Sequence, residues 1–287
     1  MLSSLATVLF DGFAYGMLLF LLSVGLSVTL GMMNFVNLAH CSFAMVGGYA
    51  TVTLVHKFGW PFLATLPMAF LAGSLTSSIL ERALYRHLYR ASDLDQCLLT
   101  IGIVFISVAA FAWFYTSEQQ SARPPEWLRT TVSLAGVSFA GYRLFLIVVG
   151  LATTALLVLA LEKTRFGAQV RAAVDNQRMA RGLGIDVDRA FMFTFALGGG
   201  LAGLGGALAI EVVGLDPTFA LAYLVYVLIV VAVGGLGSIG GSFAAAVVLG
   251  ISDMAGKYYF PWLGAFLIYL VMVALLMWRP AGLFGKR

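Results

Sequence analysis

Charged side chains are nearly missing from this chain. Of its 287 residues, 10% are Asp, Glu, Lys or Arg and 61% are hydrophobic, and the mean hydropathy is +0.97. A soluble surface needs far more charge, so a soluble domain is excluded. Cysteine is scarce as well. Cys41 and Cys97 stand at the edges of apolar segments, with no CxxC or metal-ligand spacing. That argues against a disulfide framework, and both thiols read as small apolar side chains. His40 has no second His or Cys at a sensible spacing, which argues against a metal centre. The phosphate-loop pattern Gly-x-x-x-x-Gly-Lys-Ser/Thr occurs nowhere, so no nucleotide site of the chain's own is expected. No Ser-His-Asp or metal-hydrolase set converges, which argues against an enzyme. Lys and Arg are absent from Met1 to Leu30, a run too long for the core of a signal peptide. It reads as a retained first membrane helix.

Long apolar runs are what the sequence does have. Several exceed the roughly 18 to 20 residues that cross a hydrocarbon core about 30 Å thick. Full spans are expected over about 5–30, 62–80, 96–114, 144–161, 190–213 and 262–278. Briefer apolar stretches lie at 41–55, 220–233 and 243–255. Together they predict an all-α polytopic membrane protein with eight to ten transmembrane or re-entrant helices, forming a single membrane domain over 1–287. Of the 17 Lys and Arg, three fall in 81–96, six in 162–189 and three in 279–287. Cytoplasmic loops carry the excess of these residues. The three segments are therefore expected inside, with the C-terminus, and the N-terminus and the 116–142 loop outside. The net charge of +4 then reflects loop bias and no nucleic-acid partner. Arg82, Arg86 and Arg90, spaced i, i+4, i+8, predict one basic helix face against lipid headgroups.

The order of features also recurs. A long apolar run, a polar or Gly-rich break, a brief run, a Lys-aromatic-Pro turn, a span and a basic exit occupy 5–90 and again 220–287. Lys57 to Pro61 and Lys257 to Pro261 are the matching turns. This is the pattern of a parallel internal repeat.

Four places carry candidate function. The first is a polar break after the first run, where Asn34, Asn37, His40 and Ser42 cluster. Interrupted helices at membrane depth survive only where their backbone is buried in protein or lines a cavity. The cluster reads either as cavity lining on a substrate path or as an ordinary turn. The second is a polar island, Thr164 to Arg189, with five arginines and three aspartates between greasy runs. Within it, Ala172 to Leu183 reads as a short helix that Gly182 and Gly184 can end. Ala172, Ala173, Val174, Met179, Ala180 and Leu183 supply apolar contacts, and Arg171, Asp175, Arg178 and Arg181 supply polar rims. Such a helix suits a groove on a partner protein, or is simply solvated. The third is a Gly-rich run in which Gly199, Gly203 and Gly206, with Ala202, make small-xxx-small pairs for helix packing. The fourth is a set of carboxylates in or beside apolar runs: Asp11, Glu211 and Asp253. Intramembrane carboxylates are functional candidates. For Glu211, beside Asp216-Pro217, and Asp253, four before Lys257, interfacial placement with solvated partners is expected.

Three stretches resemble a known family. Asn37-Leu-Ala-His40-Cys-Ser-Phe-Ala-Met-Val-Gly47-Gly-Tyr49 is similar to a signature of the permease subunits of branched-chain amino acid ABC importers. Phe166-Gly167-Ala-Gln-Val-Arg171-Ala172, continuing at Ala180-Arg-Gly-Leu-Gly184-Ile185, resembles that family's cytoplasmic loop. Val233-Gly-Gly-Leu-Gly-Ser238-Ile-Gly-Gly241 resembles its Gly-rich C-terminal motif, and the ending Arg279 to Gly285 also fits. The resemblance covers essentially the whole chain, with Cys41 standing where the family usually has Gly. It implies a heteromeric importer in a bacterial or archaeal cytoplasmic membrane. Its expected partners are a second permease subunit, two cytoplasmic ATPase subunits that bind the ATP, and a periplasmic solute-binding protein. It implies that the chain itself has no cofactor, and that Arg171, Ala172, Asp175, Ala180 and Gly184 belong to the loop that couples to the ATPase. Urea, short amides and aromatic carboxylates are also carried within the wider family. An ion-coupled secondary carrier and a membrane-embedded enzyme or sensor are the readings from other classes.

Overall fold

A computed structural model describes residues 2–33, 35–89, 91–134 and 137–285. The chain folds into α1 (Leu2–Met33), α2 (His40–Phe58), α3 (Phe62–Ala83), α4 (Asp93–Tyr115) and α5 (Glu126–Arg129). A hairpin of β1 (Thr131–Leu134) and β2 (Val137–Ala140) follows. Then come α6 (Gly141–Lys163), α7 (Arg165–Asp175), α8 (Gln177–Gly182), α9 (Val187–Val213), α10 (Phe219–Gly234), α11 (Ile239–Tyr259) and α12 (Gly264–Trp278). Six helices, α1, α3, α4, α6, α9 and α11, are long and apolar enough to cross a membrane. Two shorter apolar helices, α10 and α12, and the polar-ended α2 bring the bundle to nine among the described residues. The fold is an all-α polytopic membrane protein.

Hydropathy alone cuts two of these helices short. The sequence predicts brief stretches at 41–55 and 243–255, yet α2 has 19 residues and α11 has 21. Their ends are polar but helix-compatible. In α2, His56 and Lys57 occupy the last turn, and Gly59 closes the helix at φ 67°. The amides of Gly59 and Trp60 bond back to the Val55 and Leu54 carbonyls at 3.2 and 3.0 Å, satisfying groups the helix end leaves open. In α11 the extra turn at the C-terminal end takes in Lys257. The opposite correction applies after α3. The α-helix ends at Ala83 and gives way to a 3-10 turn over Tyr85–Leu88, so Arg82 and Arg86 do not share one continuous helix face. Arg90 lies outside the described residues.

Close backbone contacts fix the direction of each helix. Gly12, Gly16 and Gly31 of α1 meet Ile251, Ala246 and Gly237 in turn, so α1 and α11 are antiparallel. Gly25 meets Gly198 while Leu22 meets Gly205, so α1 and α9 are antiparallel too. Along α3, Ser77 and Ala69 meet Gly199 and Gly203 of α9. The loop after α3, the α7–α8 segment and the C-terminal stretch from Arg279 therefore gather at one end of the bundle, the basic face. The start of α1 lies at the other end. There the described residues of 116–140 form a cap: Gln120 and Leu215 exchange backbone bonds of 2.7 and 3.2 Å, and Phe139 packs on Phe10 at 4.4 Å. The triplets α1-α2-α3 and α10-α11-α12 alternate between the two faces in the same sense.

Two helices hold the bundle together. Residues Met17 to Leu22 of α1 have no exposed surface, and nearly all of α9 from Gly198 to Ile210 is buried. In lipid there is little hydrophobic gain from pairing helices, so close packing through small residues must supply it. Gly199 and Gly203 lie against α3, and Gly206 lies against Ala44 of α2. A Cβ on Gly203 would stand 2.5 Å from the Ala69 carbonyl oxygen, with backbone rather than a movable side chain in the way. Overpacking of this kind costs about 1 to 3 kcal/mol or more. Gly203→Ala should therefore lower the melting temperature of detergent-solubilised protein, and Gly203→Leu should abolish the monodisperse peak in size exclusion. Gly102 has no atom within 4 Å of its would-be Cβ, so Gly102→Ala is the control and should melt as the parent does. Equal melting of the Gly102 and Gly203 variants would contradict this packing.

Candidate translocation and coupling sites

The chain between α1 and α2 turns back into the bundle. Segment 35–39 has no regular structure, and His40 at the head of α2 reaches the Leu22 carbonyl, well inside α1, donating from Nε2 at 3.1 Å. Asn37 folds into a local turn, its Oδ1 accepting from the Ala39 amide at 3.1 Å. Asn37, His40 and Ser42 are all buried together here. The Asn37 Nδ2 and Ser42 Oγ atoms have no hydrogen-bond partner. Asn34 lies outside the described residues. Cys41 is an ordinary buried member of the first turn of α2, and its φ is not positive, so this position makes no demand for glycine.

Two side chains of α4 hold the break. Gln96 accepts from the Val36 amide at 3.0 Å, and Thr100 accepts from the Leu38 amide at 3.2 Å. These replace the helical bonds that residues 36 and 38 forgo. The other end of Gln96 donates to the Leu88 and Ala91 carbonyls at 3.2 and 3.4 Å. Beneath the break sits an aromatic knot. The Phe35 ring lies 5.1 Å from Tyr85, 5.8 Å from Tyr89 and 5.7 Å from Phe195, and Tyr89 meets Phe191 edge-on at 5.8 Å. Tyr89 also donates to Glu81 at 2.6 Å. Burial, reinforced by that bond, holds the Tyr89 phenol well above its usual range. It is a donor at every physiological pH.

The polar island folds as two helices where one is predicted from Ala172 to Leu183. Asn176 is extended, ends α7, and caps α8 by accepting from the Met179 amide at 3.0 Å. Thr164 caps α7 and Asp186 caps α9 in the same way, accepting from Gly167 and Arg189. Gly184, at φ 80°, closes α8. Its amide bonds the Arg181 carbonyl and that of Ile185 bonds the Ala180 carbonyl, both at 3.0 Å. Gly182 remains helical. The apolar residues divide between two faces. Ala173 and Ala180 are buried against Val187 and Phe191 of α9, whereas Met179 is 65% and Leu183 78% exposed. Ala172 is half-buried, Asp175 is exposed, and Arg171 reaches back to the Leu161 carbonyl at the end of α6. Beside α8 a cavity of about 580 Å³ opens, lined by Arg82, Arg86, Arg181, Asp186 and Arg189 among others.

The three carboxylates have separate fates. Asp11 pairs with Arg143 of α6. Glu211 is exposed. Asp253 has its predicted partner, Lys257 at 2.6 Å, but it is not solvated: it is 1% exposed, while the lysine stays half out. The lysine ammonium also sits 5.3 Å from the Tyr15 ring, so the pair is shielded by α1. No group of three or more His, Cys, Asp or Glu among the described residues could hold a metal ion. Sequence reasoning passed over Gln96, Thr100, Phe35 and Tyr89. A glutamine and a threonine four apart at the head of an apolar run were the available signal.

Comparison with known proteins identifies a family. A family model described as branched-chain amino acid transport system / permease component matches residues 8–276. The probable branched-chain amino acid transport permease protein LivH of Methanocaldococcus jannaschii is 28% identical, over 94% of this chain and 90% of that protein. The high-affinity branched-chain amino acid transport system permease protein BraD of Pseudomonas aeruginosa is 23% identical, over 97% and 95%. LivM of Escherichia coli, another permease protein of such a system, is 25% identical over 93% of this chain and 68% of its own length. No solved structure matches the chain. With nearly its whole length matched, this chain belongs to the family of branched-chain amino acid transport system permease components.

Proposed function

We propose that this chain is one membrane subunit of an ATP-driven importer for branched-chain amino acids. It pairs with a second permease subunit, receives two ATPase subunits on its basic face, and takes substrate from a solute-binding protein on the opposite face. Family membership and the relatives' names support the substrate and the transport role. The gathering of Lys and Arg at one end supports a cytoplasmic basic face, with the N-terminus outside and the C-terminus inside. ATP is bound by the partners, and this chain contributes transport rather than catalysis.

The observation that carries the reading is the α7–α8 segment. It is tied into the bundle through Ala173 and Ala180, yet presents Met179 and Leu183 outward among arginines. Apolar side chains held on a charged rim suit the groove of a docking protein. The substrate path runs along the break, where Asn34, Asn37, His40 and Ser42 cluster. A buried polar atom without a partner costs about 1 to 3 kcal/mol. The free Nδ2 of Asn37 and Oγ of Ser42 therefore favour a second conformation in which water or substrate reaches them.

Leucine uptake into proteoliposomes holding the full complex should require ATP on the side of the basic face. Uptake of urea or benzoate without leucine would overturn the substrate assignment. For docking, Met179→Asp with Leu183→Asp should leave the permease folded while ATPase subunits are lost on purification and uptake ceases. Ala180→Glu would instead disturb the chain's own packing and is the poorer probe. Stoichiometric ATPase with unchanged uptake in the double variant would refute the docking face. For the path, single cysteines at 37, 40 and 42 in a Cys41→Ser, Cys97→Ser background should react with an impermeant thiol reagent in at least one nucleotide state. Inertness of every position in every state would remove the break from the path.

A further inference from the structure

We infer that Gln96 is the positioning residue through which movement of the coupling face reaches the broken segment. The inference rests on the proposed ATP-driven cycle. Gln96 is buried and uses both ends of its amide. Its oxygen holds the Val36 amide of the break, and its nitrogen holds the Leu88 and Ala91 carbonyls of the loop at the basic face. No other side chain among the described residues bonds to both segments.

The mechanical setting favours transmission over simple anchoring. Helix α4 is the least buried of the six long spans, with 17% of its most apolar stretch buried in the bundle. The backbone of segment 35–39 is thus bonded to a helix that the core scarcely restrains. Between α8 and Gln96 the contacts are continuous. Ala180 packs with Val187 and Phe191; Phe191 meets Tyr89; Tyr89 and Phe35 meet edge-on; and Leu88, next to Tyr89, accepts from Gln96. A shift of α8 under a docked ATPase would move Phe191 and Tyr89 first. Gln96 would then carry the shift of Leu88 and Ala91 to Val36, three residues from the helical end of α1. Thr100 lacks this reach. It holds Leu38 and otherwise bonds only within its own helix.

The test uses the complete reconstituted importer with leucine as probe. Gln96→Met keeps length and volume while removing all three bonds. Leucine uptake should fall by roughly two- to thirtyfold, the range for substitutions along a coupling route. Basal ATP hydrolysis should persist, and its stimulation by the loaded binding protein should vanish. Thr100→Val, which removes only the Leu38 bond, should keep stimulation. A general structural weakening would not produce that split. Parental uptake and stimulation in Gln96→Met would overturn the inference, and so would matched loss of hydrolysis and uptake in both variants. If Gln96→Met fails to assemble, Phe35→Leu decides: loss of stimulation with retained basal hydrolysis supports the route, and parental behaviour overturns it. A parent complex without ATP-driven leucine uptake would overturn the proposed function, and this inference with it.

Discussion

The structure depends on one constraint: helix backbones must touch. Lipid offers a helix face as much apolar contact as another helix does, so association needs surfaces that meet more closely than bulky side chains permit. Here α9 meets α1 at Gly198 and Gly205, α3 at Gly199 and Gly203, and α2 at Gly206. A single glycine-faceted helix thereby collects three neighbours. Among the described residues, the polar bonds between these helices are few and directed at backbone, such as Ser77 to the Phe195 carbonyl and His40 to that of Leu22. They set rotation where the glycines set distance.

Such a core does not deform gradually. Contacts made at backbone distance are either seated or lost, which favours rigid helices that move as bodies. Motion then has to occur where seating is weakest. The break between α1 and α2 meets that description. Its backbone is held by side chains of α4 rather than by a helical ladder, and two polar atoms beside it are unpartnered. The basic face meets it too, since α7 and α8 are short and joined at an extended Asn176. Both weak places border the same aromatic knot.

Much of this was legible in the sequence, for reasons that differ from element to element. Runs such as Gly141 to Lys163 are long and apolar, and lipid leaves them no alternative to a helix. The polar island was visible because five arginines cannot lie in hydrocarbon. Hydropathy failed where chemistry and geometry part company. It ended α11 at residue 255, short of Lys257, because it scores a charge as an exit and cannot see one charge covering another. It also joined α7 to α8, because nothing in Asp175-Asn176-Gln177 announces that the amide will cap rather than continue the helix. Least legible were Gln96 and Thr100. Their role depends on a segment 60 residues away folding back beside them, and periodicity within one helix carries no record of that.

The Asp253–Lys257 pair, with its carboxylate buried and its lysine half exposed, shows how far local pattern can mislead about environment. Spacing of i, i+4 predicts the contact, and the contact is there. Burial comes from elsewhere. Tyr15 of α1 lies beside the pair, its ring 5.3 Å from the Lys257 ammonium, and α1 approaches because Gly12 and Gly16 admit the backbone of α11. Removing Lys257 would strand the buried carboxylate, at a cost above that of losing an exposed pair. The glycines that admit α11 therefore also determine that its charges must come as a pair. Backbone approach, set by residues with no side chain at all, dictates which polar side chains the bundle can carry.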